Sequence, residues 1–250
     1  MSVISGRAGK TGPRVLLISL RDPVDPMAAH ERRCFAVCSA LDEEAVAVHA
    51  MTDGPPPRWK LQEYDALLFG GSGAYSVLDD VIWIRQALDV LVDVVELGVP
   101  SWASCFGFQG LAMALGGAVE HDEERAEMGS TELSVTPAGE RDGLFRSLPV
   151  RFWAQQGHHD RVTVLPPGVE RLATGDVCRE QAFKVGGAPF WASQFHPELT
   201  VASTLDRFHH YRDHYLDDAS ADGVFQKLQS GRDTPEVGQL VARLVRHQFN

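Results

Sequence analysis

Cys105 sits in the segment Val99-Pro100-Ser101-Trp102-Ala103-Ser104-Cys105-Phe106-Gly107-Phe108-Gln109. A buried strand leads into the cysteine, and an apolar helix pattern leaves it. Strand, sharp turn and helix in that order make a nucleophile elbow. Such a turn pushes the sulfur out above the carboxyl ends of the strands. It also places the sulfur at a helix N-terminus, where the dipole favours thiolate. Gly107 keeps bulk away from the turn, and the Phe106 N–H is free to stabilise an oxyanion. A nucleophilic cysteine needs a base, and the base needs a group to orient it. The segment Gln194-Phe195-His196-Pro197-Glu198 supplies both, with His196 closing an apolar run and Glu198 two residues on. A third piece, Gly70-Gly71-Ser72-Gly73, ends another apolar run. A glycine turn there can aim a second backbone N–H at the same point.

These pieces need a scaffold that brings several strand ends together. Residues 14–19 read as a buried strand, 27–41 as a helix and 45–51 as a second strand. Ala66 to Phe69 reads as a third strand and 80–97 as a long helix stopped at Gly98. Pro100 to Ser104 is a fourth strand and 106–115 the helix after the elbow. This alternation predicts an α/β, flavodoxin-like three-layer fold with a central, mostly parallel sheet and the site at the strand carboxyl ends. The second half is richer in strand patterns, at 133–136, 150–154, 161–164, 181–185 and 190–195. A helix is predicted at about 200–216. The domain reading is a flexible lead-in at 1–13, one catalytic domain at 14–216 and a C-terminal helical extension at 217–250. Gly9-Lys10-Thr11 is not a phosphate loop, because no strand precedes it and no glycine stands at position 4.

Composition narrows the functional classes. The chain has 250 residues, of which 44% are hydrophobic and 23% charged, so it can build a core without staples. With 23 basic and 34 acidic side chains the net charge is −11, which argues against a nucleic-acid partner. No apolar run is long enough to span a bilayer, and the N-terminus lacks a signal core. The expectation is a cytoplasmic protein with no membrane attachment. Four cysteines do not make a disulfide scaffold. Cys34, Cys38 and Cys178 read as buried packing residues. No metal or cofactor is expected.

The chain resembles the class I, triad-type glutamine amidotransferases. Cys105, Gly107 and Gln109 match that family's G-x-C-x-G-x-Q, and His196-Pro197-Glu198 matches its H-P-E. Glu127-Met128-Gly129 and His158-His159-Asp160, with Leu165-Pro166-Pro167-Gly168, are similar to the glutaminase branch of GMP synthases. The resemblance runs from about residue 14 to 215. It implies that Cys105 attacks the γ-carboxamide of glutamine, or of a γ-glutamyl compound, and forms a γ-glutamyl thioester that water hydrolyses. His196 protonates the leaving ammonia or amine, Glu198 orients His196, and the N–H groups of Gly71 and Phe106 form the oxyanion hole. Gly107, Gln109, His158 and Asp160 border the substrate. Two features depart from the pattern: Ala103 replaces the first motif glycine, and Ser104 stands where relatives carry an apolar residue. No synthetase segment is present, so the resemblance implies either a separate synthetase partner or a stand-alone hydrolase. A γ-glutamyl peptidase or conjugate hydrolase, and a non-catalytic regulatory module on the same fold, are the alternative readings.

Overall fold

The computed structural model of the protein describes residues 12–215 and 218–249. The expected lead-in lies outside the described residues up to position 11, as does the junction at 216–217.

The first half of the chain alternates strand and helix. β1 (Val15–Ser19), α1 (Pro26–Ser39), β2 (Val46–Ala50), α2 (Arg58–Leu61), β3 (Ala66–Phe69), α3 (Ile82–Leu97), β4 (Ser101–Ser104) and α4 (Phe106–Ala114) follow in order. The second half begins with strands: β5 (Ala118–His121), β6 (Glu127–Val135), β7 (Arg151–His158), β8 (Asp160–Val164), β9 (Val169–Thr174), β10 (Ala182–Val185) and β11 (Phe190–Ser193). It closes with α5 (Val201–Tyr215), α6 (Asp218–Gln229) and α7 (Pro235–Val245).

Nine strands form one sheet in the order β2-β1-β3-β4-β11-β10-β9-β6-β7. From β2 through β11 every pairing is parallel. From β11 outward every pairing is antiparallel. A separate ribbon pairs β5 with β8. The parallel half explains the uninterrupted apolar runs of the sequence. Leu16, Ile18, Leu67 and Phe69 face one core with α3 and α4 residues such as Leu91 and Phe108. Val15, Leu17, Ala66 and Leu68 face the other, with Phe35 of α1. A strand covered on both faces favours apolar residues along its whole length, and the two serines of β4 are buried with it.

Caps set the helix limits. The Asp25 side chain accepts the Met27 N–H at 2.8 Å, with Pro26 in the first turn of α1. Gly98 ends α3 in the left-handed region at φ 66°. α7 lays Val237, Leu240, Val241 and Leu244 into the same core as Trp102 and Trp191, all of them buried. The C-terminal helix therefore packs as part of this sheet's second layer.

β5 and β9 were not expected from the sequence. β5 has an intermediate-to-exposed face throughout, and β9 buries only Leu172 and Ala173. Neither offers an apolar run; pairing with β8, and with β6 and β10, defines them instead.

Candidate functional site

β4 ends at Ser104, and the next residue turns sharply. Cys105 has φ 51° and ψ −105°, a conformation a side-chain-bearing residue adopts only under strain. Its N–H donates to Ser193 O at 2.8 Å, which ties the turn to β11. α4 begins at Phe106, and Gly107 N–H donates to Gly70 O at 3.2 Å. The Phe106 N–H stands at the first position of the helix, where no intrahelical acceptor exists.

β11 delivers the base. After Ser193 the chain continues through fully buried Phe195 to His196, whose N–H donates to Gln155 O of β7 at 2.9 Å. His196 Nδ1 donates to Glu198 Oε1 at 2.8 Å, and the Cys105 side chain lies beside the same ring. Three residues from two separate segments thus come together in the order nucleophile, base, carboxylate. Burial by itself would lower the imidazole pKa; the Glu198 carboxylate and the Cys105 sulfur outweigh it, and the ring is pushed up to about 9. Burial would raise Glu198, but the neighbouring His196 and Arg207 hold it down at about 2.

These shifts have a consequence for stability. A raised imidazole pKa contributes stability that is complete below the ordinary 6.5 and is lost as pH rises through about 9. A lowered carboxylate contributes stability that is complete above 4.5 and is lost as pH falls toward 2. The thermal midpoint is therefore expected to decline between about pH 6.5 and 9, and a His196→Gln variant to decline less over that range. An equally steep decline in the variant would show that other groups govern alkaline unfolding.

The Gly70–Gly73 turn lies against the same point. A Cβ on Gly71 would come within 2.9 Å of His196 Cε1 and 3.5 Å of Cys105 Cβ, so this position has no room for a side chain. A Cβ on Gly70 would meet the Glu31 carboxylate at 2.3 Å. The N–H of Gly71, expected to face an oxyanion, donates to Glu31 Oε1 at 3.1 Å in this structure. Glu31 comes from α1 and is fully buried, and a glycine pattern gives no sign of which way its peptide will point. Ser72 lines the cleft beside Cys105, and its hydroxyl oxygen is buried without a hydrogen-bond partner.

The cleft measures about 340 Å³ and includes Cys105, Phe106, Gln109, His158 and Asp160 on its walls. Gln109 is almost fully buried; its Nε2 donates to Asp160 O at 2.7 Å and to Gln194 Oε1 at 3.2 Å. Asp160 accepts from Ser76 Oγ at 2.5 Å and from His121 Nδ1 at 2.7 Å. The bond to Asp160 raises the pKa of His121, whose other nitrogen donates to Glu123 at 2.9 Å. His159 Nδ1 donates to the second oxygen of Glu123 at 2.7 Å. An alternating carboxylate–imidazole rim thus borders the cleft.

His158 lies behind this rim. Its Nδ1 donates to Asp160 O at 2.9 Å, and its Nε2 lies 3.3 Å from Glu127 Oε2. With Cys178 these two residues place ligand-type atoms within 4.8 Å of one another, the one such group among the described residues. Gln181 Nε2 also donates to Glu127 at 2.6 Å and Cys178 Sγ to Arg125 O at 3.3 Å, so the cluster has protein partners of its own. Burial pushes Cys178 up to about 12 and Cys34 up to about 11, and Cys38 higher still. A thiol held protonated in this way is a poor nucleophile.

Three residues around the triad were not singled out as site residues. Ser104 Oγ donates to Glu198 Oε2 at 3.4 Å, which gives the departure beside the cysteine a contact. Arg207 Nη1 donates to Glu198 Oε1 at 3.2 Å. Glu31 holds Gly71. Ala103, the other departure, is fully buried in the core that Phe69 and Phe108 share.

Comparison with known proteins places these features. The family model described as glutamine amidotransferase class-I matches residues 38–211. The chain is 36% identical over 133 residues to a glutamine-hydrolyzing GMP synthase of Lactobacillus delbrueckii subsp. bulgaricus, covering 53% of this chain and 24% of that protein. It is 32% identical over 140 residues to one subunit of the glutamine-hydrolyzing GMP synthase of Sulfolobus acidocaldarius, covering 56% of this chain and 70% of that one. It thus matches about a quarter of the length of the full synthases and most of the separate chain. Among solved structures, a glutamine amidotransferase from Thermotoga maritima superposes with a TM-score of 0.68 at 19% identity, covering 93% of this chain and 98% of that one. One from Methylobacillus flagellatus superposes with a TM-score of 0.69 at 18% identity, covering 96% of each chain. At those identities the likeness concerns the fold. No described helix is long and apolar enough to cross a membrane.

Proposed function

Since the chain belongs to the class-I glutamine amidotransferase family, we propose that it hydrolyses the γ-carboxamide of glutamine through a thioester on Cys105. The observation that carries this reading is one cleft wall. It holds Cys105 at the head of α4, with the buried His196–Glu198 pair hydrogen-bonded at 2.8 Å behind it. The Cys105 sulfur, its proton taken by His196, attacks the carboxamide carbon. The C–S bond forms, and the carbonyl oxygen becomes an oxyanion. The Phe106 N–H and the Ser72 hydroxyl are the donors left beside it, given that the Gly71 N–H is committed to Glu31. Collapse breaks the C–N bond, and the His196 proton leaves with ammonia. Water, giving a proton to His196, then cleaves the thioester and frees glutamate. Glu198 keeps the imidazole in the tautomer that faces Cys105.

Gly107 lies in the first turn of α4 under the substrate, and Gln109, His158 and Asp160 shape the wall that receives its amino-acid end. The ammonia passes to a separate synthetase-type protein, a reading supported by the similarity to a relative named as one subunit of a GMP synthase.

Incubation with a diazoketone analogue of glutamine tests the assignment. Mass spectrometry is expected to find the adduct on the Cys105 peptide, with matching loss of ammonia release. Ammonia release that survives the analogue, with Cys105 unlabelled, would overturn it. Substituting γ-glutamyl peptides for glutamine in the same assay separates an amidase from a peptidase.

A further inference from the structure

Two buried charges outside the triad connect its parts. Arg207 stands on α5, nine residues beyond Glu198, and is 7% exposed. Its Nη1 donates to Glu198 Oε1 at 3.2 Å and lies 3.3 Å from His196 Nδ1, while its Nη2 lies 3.6 Å from Glu31 Oε1. That same Glu31 oxygen accepts the Gly71 N–H at 3.1 Å and lies 3.3 Å from Arg21 Nε. Gly71 in turn faces the His196 ring and Cys105, which a Cβ at that position would meet at 2.9 and 3.5 Å. A closed circuit therefore runs from nucleophile to base, carboxylate, guanidinium and second carboxylate, and returns through the glycine turn.

Isolated charges in a protein interior are costly, and a buried pair is weak support for stability in itself. The geometry gives this pair another use. A carboxylate that receives only one hydrogen bond can swing about its own axis. Glu198 Oε1 receives two, from His196 and Arg207, and Oε2 receives the Ser104 hydroxyl. Those bonds fix the carboxylate plane, and through it the imidazole. Glu31 does the same for the turn: its carboxylate fills the space beside Gly70 and takes the N–H of Gly71.

We propose that Glu31 and Arg207 form a positioning pair that couples the Cys105–His196–Glu198 triad to the Gly70–Gly73 turn. Neither touches the reacting atoms; each acts through a neighbour. The proposal rests on Cys105 being the nucleophile. The charged and titratable groups around Arg207 are Glu198 and His196 after β11, Glu31, His30 and Cys34 of α1, Arg21 after β1 and its own neighbour Asp206.

The test compares Arg207→Gln, Arg207→Lys, Glu31→Gln and the Glu31→Gln/Arg207→Gln double variant by two readouts. One is kcat and KM for ammonia release from glutamine. The other is the pH profile of iodoacetamide alkylation, followed on the Cys105 peptide, which needs no substrate. Arg207→Gln is expected to lower kcat at least ~10-fold with a smaller change in KM. It is also expected to move the alkylation profile upward by about one pH unit, because a cation beside the thiol–imidazole pair is gone. Arg207→Lys keeps the wild-type profile and recovers only part of kcat. The double variant is expected to be no slower than Arg207→Gln within about twofold, since paired groups are not additive. Alkylation of folded Arg207→Gln that superposes on wild type would overturn the pair's role, as would strictly additive losses. If Arg207→Gln does not fold, the Lys and Glu31→Gln variants decide: a Glu31→Gln kcat equal to wild type overturns the proposal. If wild type releases no ammonia from glutamine, the hydrolysis reading fails, and the alkylation profiles still decide on the pair.

Discussion

Cys105→Ala is expected to lower ammonia release from glutamine by at least ~10⁴-fold, down to the background left by binding alone. Every covalent step in the proposed reaction runs through that sulfur. The other three cysteines lie outside the cleft: Cys34 and Cys178 are buried, Cys38 is half-buried, and burial pushes the pKa of each one up. Cys105→Ser is expected to fall nearly as far, because a hydroxyl in the same place gives up its proton to an imidazole much less readily. Both variants keep the strained turn, since the Cys105 N–H bond to Ser193 O and the Gly107 bond to Gly70 O are backbone bonds. A fold check by circular dichroism therefore accompanies the assay. Residual release within tenfold of wild type from folded Cys105→Ala would place the nucleophile elsewhere.

How much of this was legible in the chain depended on whether the information was local. The elbow was, because strand, cysteine and helix are consecutive and the apolar runs on either side have distinct periods. The parallel half of the sheet was legible for a related reason: β1 and β3 are covered on both faces and read as apolar runs, Val15 to Ile18 and Ala66 to Phe69. His196 and Glu198 were legible as neighbours two residues apart. What escaped was the ring of charge behind them. Glu31 lies in a helix with weak amphipathic patterning, and only the packing of α1 under the Gly70–Gly73 turn gives its carboxylate a function. Arg207 belongs to a helix rich in charged and histidine side chains, where nothing marks one arginine as buried. The bond from the Gly71 peptide to Glu31 likewise joins segments 40 positions apart. Ser104 stands out in the sequence as a departure, yet its partner Glu198 arrives from 94 positions away. Sequence thus displays the groups that react and hides the groups that hold them, because positioning contacts join distant segments.

Glu198→Gln carries the second large effect, an expected fall of ~10³–10⁴-fold in kcat with KM much less changed. The substitution keeps size and shape. An amide oxygen can still accept from His196 Nδ1 and Arg207 Nη1, and the amide nitrogen can donate to the Ser104 hydroxyl, which accepts as readily as it donates. The geometry therefore survives while the charge does not. Glu198 is the strongest of the influences that raise the His196 pKa against burial, so the imidazolium loses most of its support once the carboxylate is gone. The ring then titrates well below about 9, and the alkaline limb of the kcat/KM profile moves down with it. Arg207 adds to the effect. In the variant its guanidinium faces a neutral amide and the imidazole at 3.3 Å, and two like charges at that distance disfavour protonation of the ring. Arg207→Gln, by contrast, is expected to move the pH profile upward. Opposite displacements from two variants that leave the same backbone in place would show that Glu198 and Arg207 act on the imidazole through charge as well as through the position they give it. Displacements in the same direction, or a Glu198→Gln enzyme with a wild-type alkaline limb, would mean that Glu198 acts by shape alone.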